Sequence, residues 1–491
     1  MKVLAVASEI YPLVKTGGLA DVTGALPKAL SREGVEVRTL IPGYPAVFDG
    51  LESAEQIDAY DELFGGPARL LHASAADLDL FVLDAPHLYL RQGNPYLDEQ
   101  GRDLPDNAFR FAALARAAAA IGQGLLPAFM PDIVHAHDWQ AGLTPAYLRS
   151  GPGAAAPCVM TVHNLAFQGL FPAELLRQLR LPAAMMNPEG IEYYGQIGFL
   201  KAGLQFANAI TTVSPTYAEE IRTPENGMGL DGVLRARTSA LSGICNGIDI
   251  DVWNPGSDPH LATRYEAGSL TAKADNKTAL QVELGLSPAA SRPLFGVISR
   301  LTEQKGMDIV LDAVADLVSR GVQLALLGSG DRGLEAAFAE EASRHRGAVA
   351  ARIGYDEGLA HLIQGGSDAL LVPSRFEPCG LTQLAALRYG TLPIVSRVGG
   401  LADTVIDANQ AALAAGVATG FQFSPPAKEA FLRGVDRALD LWSAEETWHR
   451  LQRNAMRSDV GWSRSARLYA ALFDAVSVTR PEASAAHAAI P

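Results

Sequence analysis

The chain has 491 residues, of which 48% are hydrophobic and 19% charged, the composition of a folded protein too long for one ordinary core and divisible into two large domains. Its formal net charge of −14 argues against nucleic acid and anionic membrane as general partners, and no apolar run reaches the length of a membrane span, so an anionic ligand needs a local cationic pocket. Three cysteines, Cys158, Cys245 and Cys379, are odd in number and lack metal-ligand spacing, which disfavours a disulfide framework and fits a reducing compartment.

Residues 1–9 read as a first buried strand; they are too short and too soon acidic for a signal peptide, which predicts a cytoplasmic protein. Lys15-Thr16-Gly17-Gly18 follow this strand and precede a helix-like stretch over 19–30. Glycines there let backbone N–H groups approach an anion, the helix adds its positive end, and Lys15 supplies a full charge. That chemistry suits a phosphate. An ordinary strand-to-helix turn has the same pattern, and the spacing matches neither the Walker loop nor the dinucleotide fingerprint. Residues 42–107 scatter Gly, Pro and Asp, which predicts an insertion with its own hairpins.

Short β-rich runs at 35–41, 133–135, 158–162 and 210–213, then 294–298, 322–327, 369–372 and 393–396, alternate with longer helical patterns. This rhythm predicts an α/β fold of parallel sheets with helices on both faces. His135-Ala136-His137-Asp138-Trp139 falls at a strand's carboxyl end, where α/β proteins place ligands. Three readings stand: metal ligands, histidines satisfied by hydrogen bonds, or a sugar-facing rim with the Asp138 carboxylate on hydroxyls and the Trp139 indole against a pyranose. No further ligand follows at a metal-site spacing, so no metal is predicted. Thr161-Val162-His163-Asn164 ends another strand with a His-Asn pair, a pattern a core histidine also shows.

Residues 254–269, with Pro255, Gly256, Pro259 and Gly268, interrupt the rhythm and read as the connection between lobes, with a boundary near 250. Beyond it, Ser299-Arg300-Leu301-Thr302-Glu303-Gln304-Lys305-Gly306 carries two cations five positions apart, a planar fork and a point charge suited to a diphosphate; a solvated basic loop is the plainer alternative. Gly328-Ser329-Gly330-Asp331 and the segment 373–382 are further loops at strand ends, the second leading into a helix over 383–389. The phrase Gly17-Gly18-Leu19-Ala20-Asp21 returns as Gly399-Gly400-Leu401-Ala402-Asp403, which suggests two similar lobes. Residues 462–476 have an apolar helical period and could pack back across a neighbouring lobe, and 481–491 read as a disordered tail.

Taken in order, these segments resemble the bacterial glycogen synthase and plant starch synthase family. The family's K-T-G-G-L-A-D-V stands at 15–22, H-A-H-D-W at 135–139, T-V-H-N-L at 161–165, N-G-I-D and W-N-P at 246–249 and 253–255, S-R-L-T-x-Q-K-G at 299–306, and P-S-R-F-E-P-C-G-L-T-Q at 373–383. The resemblance implies two Rossmann-like doubly wound lobes of the GT-B architecture facing a central cleft. It divides the chain as 1–248, an acceptor-side lobe; 249–460, a nucleotide-sugar lobe; 461–478, a helix recrossing to the first lobe; and 479–491, the tail.

It implies an ADP-glucose donor, an α-1,4-glucan acceptor extended at its non-reducing end with retention of configuration, and no cofactor. By position it implies that Lys15 and Gly18 meet the donor's phosphate region and that Arg300 and Lys305 hold the diphosphate as it leaves. Cys379, Gly380, Leu381 and Thr382 would adjoin that group, Tyr355 would stack on adenine, and Glu377, Asn246, Asp138, Asp21 and His163 would line the glucosyl unit, with Tyr96, Trp139 and Asn164 nearby. Gln140 and Leu97 depart from the family's usual residues at positions that bear on acceptor contacts. Two alternatives stay open: a related transferase using UDP-glucose or a small sugar-phosphate acceptor, and a non-catalytic glucan-binding or nucleotide-sugar-sensing protein.

Overall fold

The structure, a computed structural model, describes residues 1–151 and 154–478; the tail expected at 479–491 lies outside the described residues. The chain divides into two compact units, one running from Met1 to Ile244 and resuming at Trp462, the other spanning Cys245–Gly461. Among the described residues no helix is long and apolar enough to cross a membrane.

In chain order the first unit's strands are β1 (Lys2–Val6), β2 (Glu36–Pro42), β3 (Ser53–Tyr60), β4 (Ala68–Ala75), β5 (Leu78–Asp84), β6 (Ile133–His137), β7 (Cys158–Val162), β8 (Leu170–Pro172), β9 (Glu192–Tyr193), β10 (Gln196–Gly198), β11 (Ala209–Thr212) and β12 (Leu241–Gly243). Nine of them form one sheet in the order β12-β11-β7-β6-β1-β2-β5-β4-β3, and β8, β10 and β9 form a small antiparallel one. The central strands are apolar on both sides because helices cover both faces. Val3, Ile133 and Val159 point to one face, where they meet Leu26 and Leu30 of the helix Gly18–Ser31 and Tyr469 and Phe473 of the helix Ser463–Ser477. Leu4, Val6, Val134, Ala136 and Met160 point to the other, over the Ala-rich helix Asn107–Gly122, which is buried around nearly its whole circumference. The segment expected as an insertion with its own hairpins forms them, β3 with β4 and β4 with β5, and they extend this sheet because β5 pairs in parallel with β2. Strand β3, which carries Glu55 and Asp58, is mostly exposed and places charge on that edge.

The second unit holds β13 (Leu294–Ile298), β14 (Gln323–Gly328), β15 (Val349–Ile353), β16 (Ala369–Val372), β17 (Leu392–Ser396) and β18 (Phe421–Phe423) in one parallel sheet of order β15-β14-β13-β16-β17-β18. Residues 254–269, read from sequence as a connection, pack into this unit. Tyr265 is buried and donates to the Tyr389 carbonyl at 2.7 Å, and the buried Lys273 ammonium donates to Gly365 O and Thr391 Oγ1, each at 2.7 Å. Trp253 stacks on His361 with ring centroids 4.0 Å apart, and His361 Nδ1 bonds the buried Asp258 carboxylate at 2.7 Å. Much of the W-N-P motif is therefore scaffold: Asn254 Oδ1 also accepts from Gly256 N and Arg388 Nη2.

Candidate active site

In the first unit the candidate residues lie at the carboxyl ends of β1, β6 and β7. Asp138 follows β6 directly and adopts φ 55 and ψ −173, a conformation that costs a side-chain-bearing residue on the order of 1–3 kcal/mol. The surroundings hold it there. Its N–H donates to Thr161 O at 2.9 Å, and its carboxylate accepts the His163 N–H at 2.7 Å and the Asn164 N–H. Removal from water pushes the Asp138 carboxyl up to about 7, against those two N–H bonds.

Beneath it lie three histidines. His135 Nε2 meets Thr161 Oγ1 at 2.7 Å, and His137 Nδ1 meets His163 Nε2 at 2.9 Å. His135 sits under the helix Ser463–Ser477, its ring 5.4 Å from Tyr469 and 5.3 Å from Phe473. Burial drives all three imidazoles to the neutral form, His135 and His163 down to about 3. Of the three readings of this segment, hydrogen-bonded histidines describe His135 and His137, and among the described residues no three His, Cys, Asp or Glu side chains converge as a metal set.

Trp139 speaks against the third reading: offered there as a platform for a pyranose, it is only 7% exposed and wedged among Phe111, Phe171 and Phe199, with ring centroids 4.9, 5.9 and 6.4 Å away. Gly169 passes so close that any Cβ there would strike the indole. Gln140, the unusual neighbour, is also buried, with Oε1 lacking a partner among the described residues. Leu97 is bridged to Asp103.

The glycine loop differs as well. Its Thr16 and Gly17 N–H groups, expected to face a bound anion, both donate to the carboxylate of Glu9, as does Thr16 Oγ1 at 2.6 Å. Lys15 is exposed, bonds Asp21 at 2.7 Å and lies over the Tyr11 ring. Gly18 opens the helix Gly18–Ser31. The Tyr96 hydroxyl is taken up by Ser8 Oγ at 2.7 Å and Glu9 Oε1 at 2.5 Å. Sequence reasoning missed Glu9, although an acid one strand-end before a glycine loop was a visible signal.

In the second unit Arg300 and Lys305 lie on the loop after β13, and Glu377 on the loop after β16. Lys305 Nζ pairs with Glu377 Oε2 at 2.6 Å, and Ser374 Oγ donates to the same oxygen at 2.9 Å. The Arg300 side chain is exposed, with no hydrogen bond or ion pair among the described residues. Arg375, a third cation nearby, is a clamp: its two terminal nitrogens each reach an Asp308 oxygen at 2.6 Å and one also reaches Glu303 O, tying the two loops together.

Gly306 at φ 68 lets the first loop touch Pro373 O, and Gly400 lets the backbone at Cys379 approach. Gln383 Nε2 donates to Cys379 O and Gly380 O at 3.0 Å, so the carbonyls of that turn are satisfied while the N–H groups at the start of the helix Thr382–Arg388, next to Leu381, remain as donors. The Cys379 thiol is buried and pushed up by burial, so it stays protonated. Asn246 is buried, and its Oδ1 has no partner among the described residues. Tyr355, after β15, is 72% exposed, and its hydroxyl donates to Glu357 Oε2 at 3.2 Å.

Residues 2–236 match the family described as starch synthase catalytic domain, and 286–457 match glycosyl transferases group 1. Among curated proteins the chain is 60% identical over 473 residues to a glycogen synthase of Rhodopseudomonas palustris strain BisA53, covering 96% of this chain and 97% of that one. It is 59% identical to a glycogen synthase of Acidiphilium cryptum strain JF-5, covering 96% and 99%. Among solved structures it resembles the catalytic domain of starch synthase IV from Arabidopsis thaliana bound to ADP and acarbose, with a TM-score of 0.87, 33% identity, and coverage of 97% and 99%.

Proposed function

The chain belongs to the glycogen and starch synthase family and is a glucosyltransferase of the GT-B fold, and we propose that it moves glucose from ADP-glucose to the non-reducing end of an α-1,4-glucan with retention of configuration. The bond from C1 to the donor phosphate breaks and its electron pair leaves on ADP; the acceptor oxygen bonds C1, and its proton passes to the departing phosphate. The observation that carries this reading is the cationic pair Arg300 and Lys305 at the carboxyl end of β13, with Lys305 beside the carboxylate of Glu377.

As ADP departs, negative charge grows on its phosphate, and fixed cations stabilise that transition state more than the bound donor. Arg300 and Lys305 hold the diphosphate in this scheme, with the N–H groups at Gly380, Leu381 and Thr382 beside them. Lys15 serves the donor's phosphate region and Tyr355 the adenine. In the first unit Asp138, His163 and Asp21 are assigned to the glucosyl unit, and in the second Glu377 and Asn246, whose Oδ1, without a partner among the described residues, is an acceptor for a sugar hydroxyl.

The test is product analysis: the purified protein with ADP-glucose and a labelled maltooligosaccharide yields products longer by whole glucose units, each in a new α-1,4 linkage at the non-reducing end. Release of ADP without chain extension contradicts the proposal.

A further inference from the structure

We infer that Glu9 is a positioning residue of this enzyme, a buried carboxylate that clamps the Lys15 loop in the shape that presents Lys15 to the donor. The inference rests on the reading of Lys15 as a donor-phosphate ligand.

Glu9 is 3% exposed and follows β1 within three residues. Four donors converge on its carboxylate: Thr16 N–H, Gly17 N–H at 3.2 Å, Thr16 Oγ1 at 2.6 Å and the Tyr96 hydroxyl at 2.5 Å. A carboxylate offers about four lone-pair sites, so Glu9 has none left for a substrate and acts through the loop. Residues 15–18 are exposed, and the space beside Gly17 is open, so little packing holds the loop down.

On its other side Glu9 is tied to rigid structure. Tyr96 also bonds Ser8, and its carbonyl accepts from Asn107 Nδ2 at 3.0 Å. Arg110, fully buried, donates to Leu88 O, Pro95 O and Asn107 Oδ1, fixing the segment that delivers Tyr96. Burial and the neighbouring Glu9 push the Tyr96 phenol well above its usual range, so it remains a donor. The chain of contacts runs from the buried Arg110 scaffold through Tyr96 to Glu9 and so to the loop. A consequence follows for the ligand: a phosphate at this loop meets the Lys15 ammonium and the start of the helix, not the Thr16 and Gly17 amides, which the protein's own anion already occupies.

Glu9→Gln replaces two acceptor sites by N–H donors that face the loop's own donors. In the full-length enzyme it is expected to raise the KM for ADP-glucose about tenfold while kcat changes less than about threefold, and to speed hydrogen exchange of the Thr16 and Gly17 amides about tenfold or more. In a Lys15→Ala background the same substitution is expected to raise KM no further. Tyr96→Phe, which keeps the carboxylate, is expected to give smaller changes in the same direction and serves if Glu9→Gln does not fold. An unchanged KM in Lys15→Ala contradicts the Lys15 reading alone. A raised KM there, with Glu9→Gln and Tyr96→Phe leaving both KM and exchange unchanged, overturns the positioning role. Additive effects of Glu9→Gln and Lys15→Ala also overturn it, because Glu9 then acts on the substrate directly.

Discussion

Lys305 stands 2.6 Å from Glu377, and this contact gives the pair its interest. A lysine held only by an exposed surface acid contributes little, whereas one fixed by a carboxylate that is itself buried and bonded to Ser374 keeps its place as the reaction proceeds. We expect Lys305→Ala and Arg300→Ala each to lower kcat about a hundredfold or more, roughly 3 kcal/mol, with a smaller effect on donor binding. Steady-state kinetics with ADP-glucose checks this, and a kcat within about threefold of the parent refutes the assignment.

His135 allows a second test at this scale. Burial pushes its imidazole down to about 3 from the ordinary 6.5, so below pH 6.5 the unfolded state binds the extra proton. The stability this group contributes is therefore complete above pH 6.5 and is lost as pH falls toward 3. Asp138, raised to about 7, has the opposite sign: its contribution is present at low pH and lost as pH rises from about 4 to 7. A His135→Gln variant should show a flatter decline of Tm than the parent between pH 7 and pH 5; parallel curves would mean that His135 is not held neutral.

At the scale of elements, the two glycine phrases look alike in sequence and differ in structure. Gly17 is extended at φ −159 with no atom near its missing side chain, while its counterpart Gly399 sits at φ 39 and a Cβ on the next glycine, Gly400, would collide with the Cys379 backbone that carries the Glu377 turn. Gly17→Ala should leave folding stability within about 0.5 kcal/mol of the parent, and Gly400→Ala should lower it by about 1–3 kcal/mol. Chemical denaturation of the two variants measures the difference, and equal values would contradict this account of the second loop.

The strands and the motif loops were legible because parallel β1, β6 and β7 are short apolar runs, and β6 and β7 pass directly into the polar residues His137-Asp138 and His163-Asn164. What the loops do with their polar atoms was not. Whether an N–H faces a ligand or Glu9 depends on a residue several positions away, and whether Trp139 faces sugar or protein depends on Phe111, Phe171 and Phe199, from three other segments. Likewise 42–107 read as an insertion because composition records turns and not pairing partners; the parallel register of β5 on β2 is a long-range fact.

For the whole molecule, the chain's acidity places its binding chemistry in a few local cations, since a net charge of −14 repels a nucleotide sugar everywhere else. Residues 2–236 and 286–457 match two family descriptions, and each range lies largely within one of the two units of the structure. This molecule is expected to make glucan from ADP-glucose in preference to UDP-glucose. Incorporation of labelled glucose into glycogen, measured as kcat/KM with ADP-glucose and with UDP-glucose under the same conditions, tests it most directly. Efficient incorporation from ADP-glucose is expected, with a preference over UDP-glucose of about tenfold or more, about 1.4 kcal/mol in transition-state binding. Equal efficiency with the two donors, or no incorporation from ADP-glucose, would contradict it.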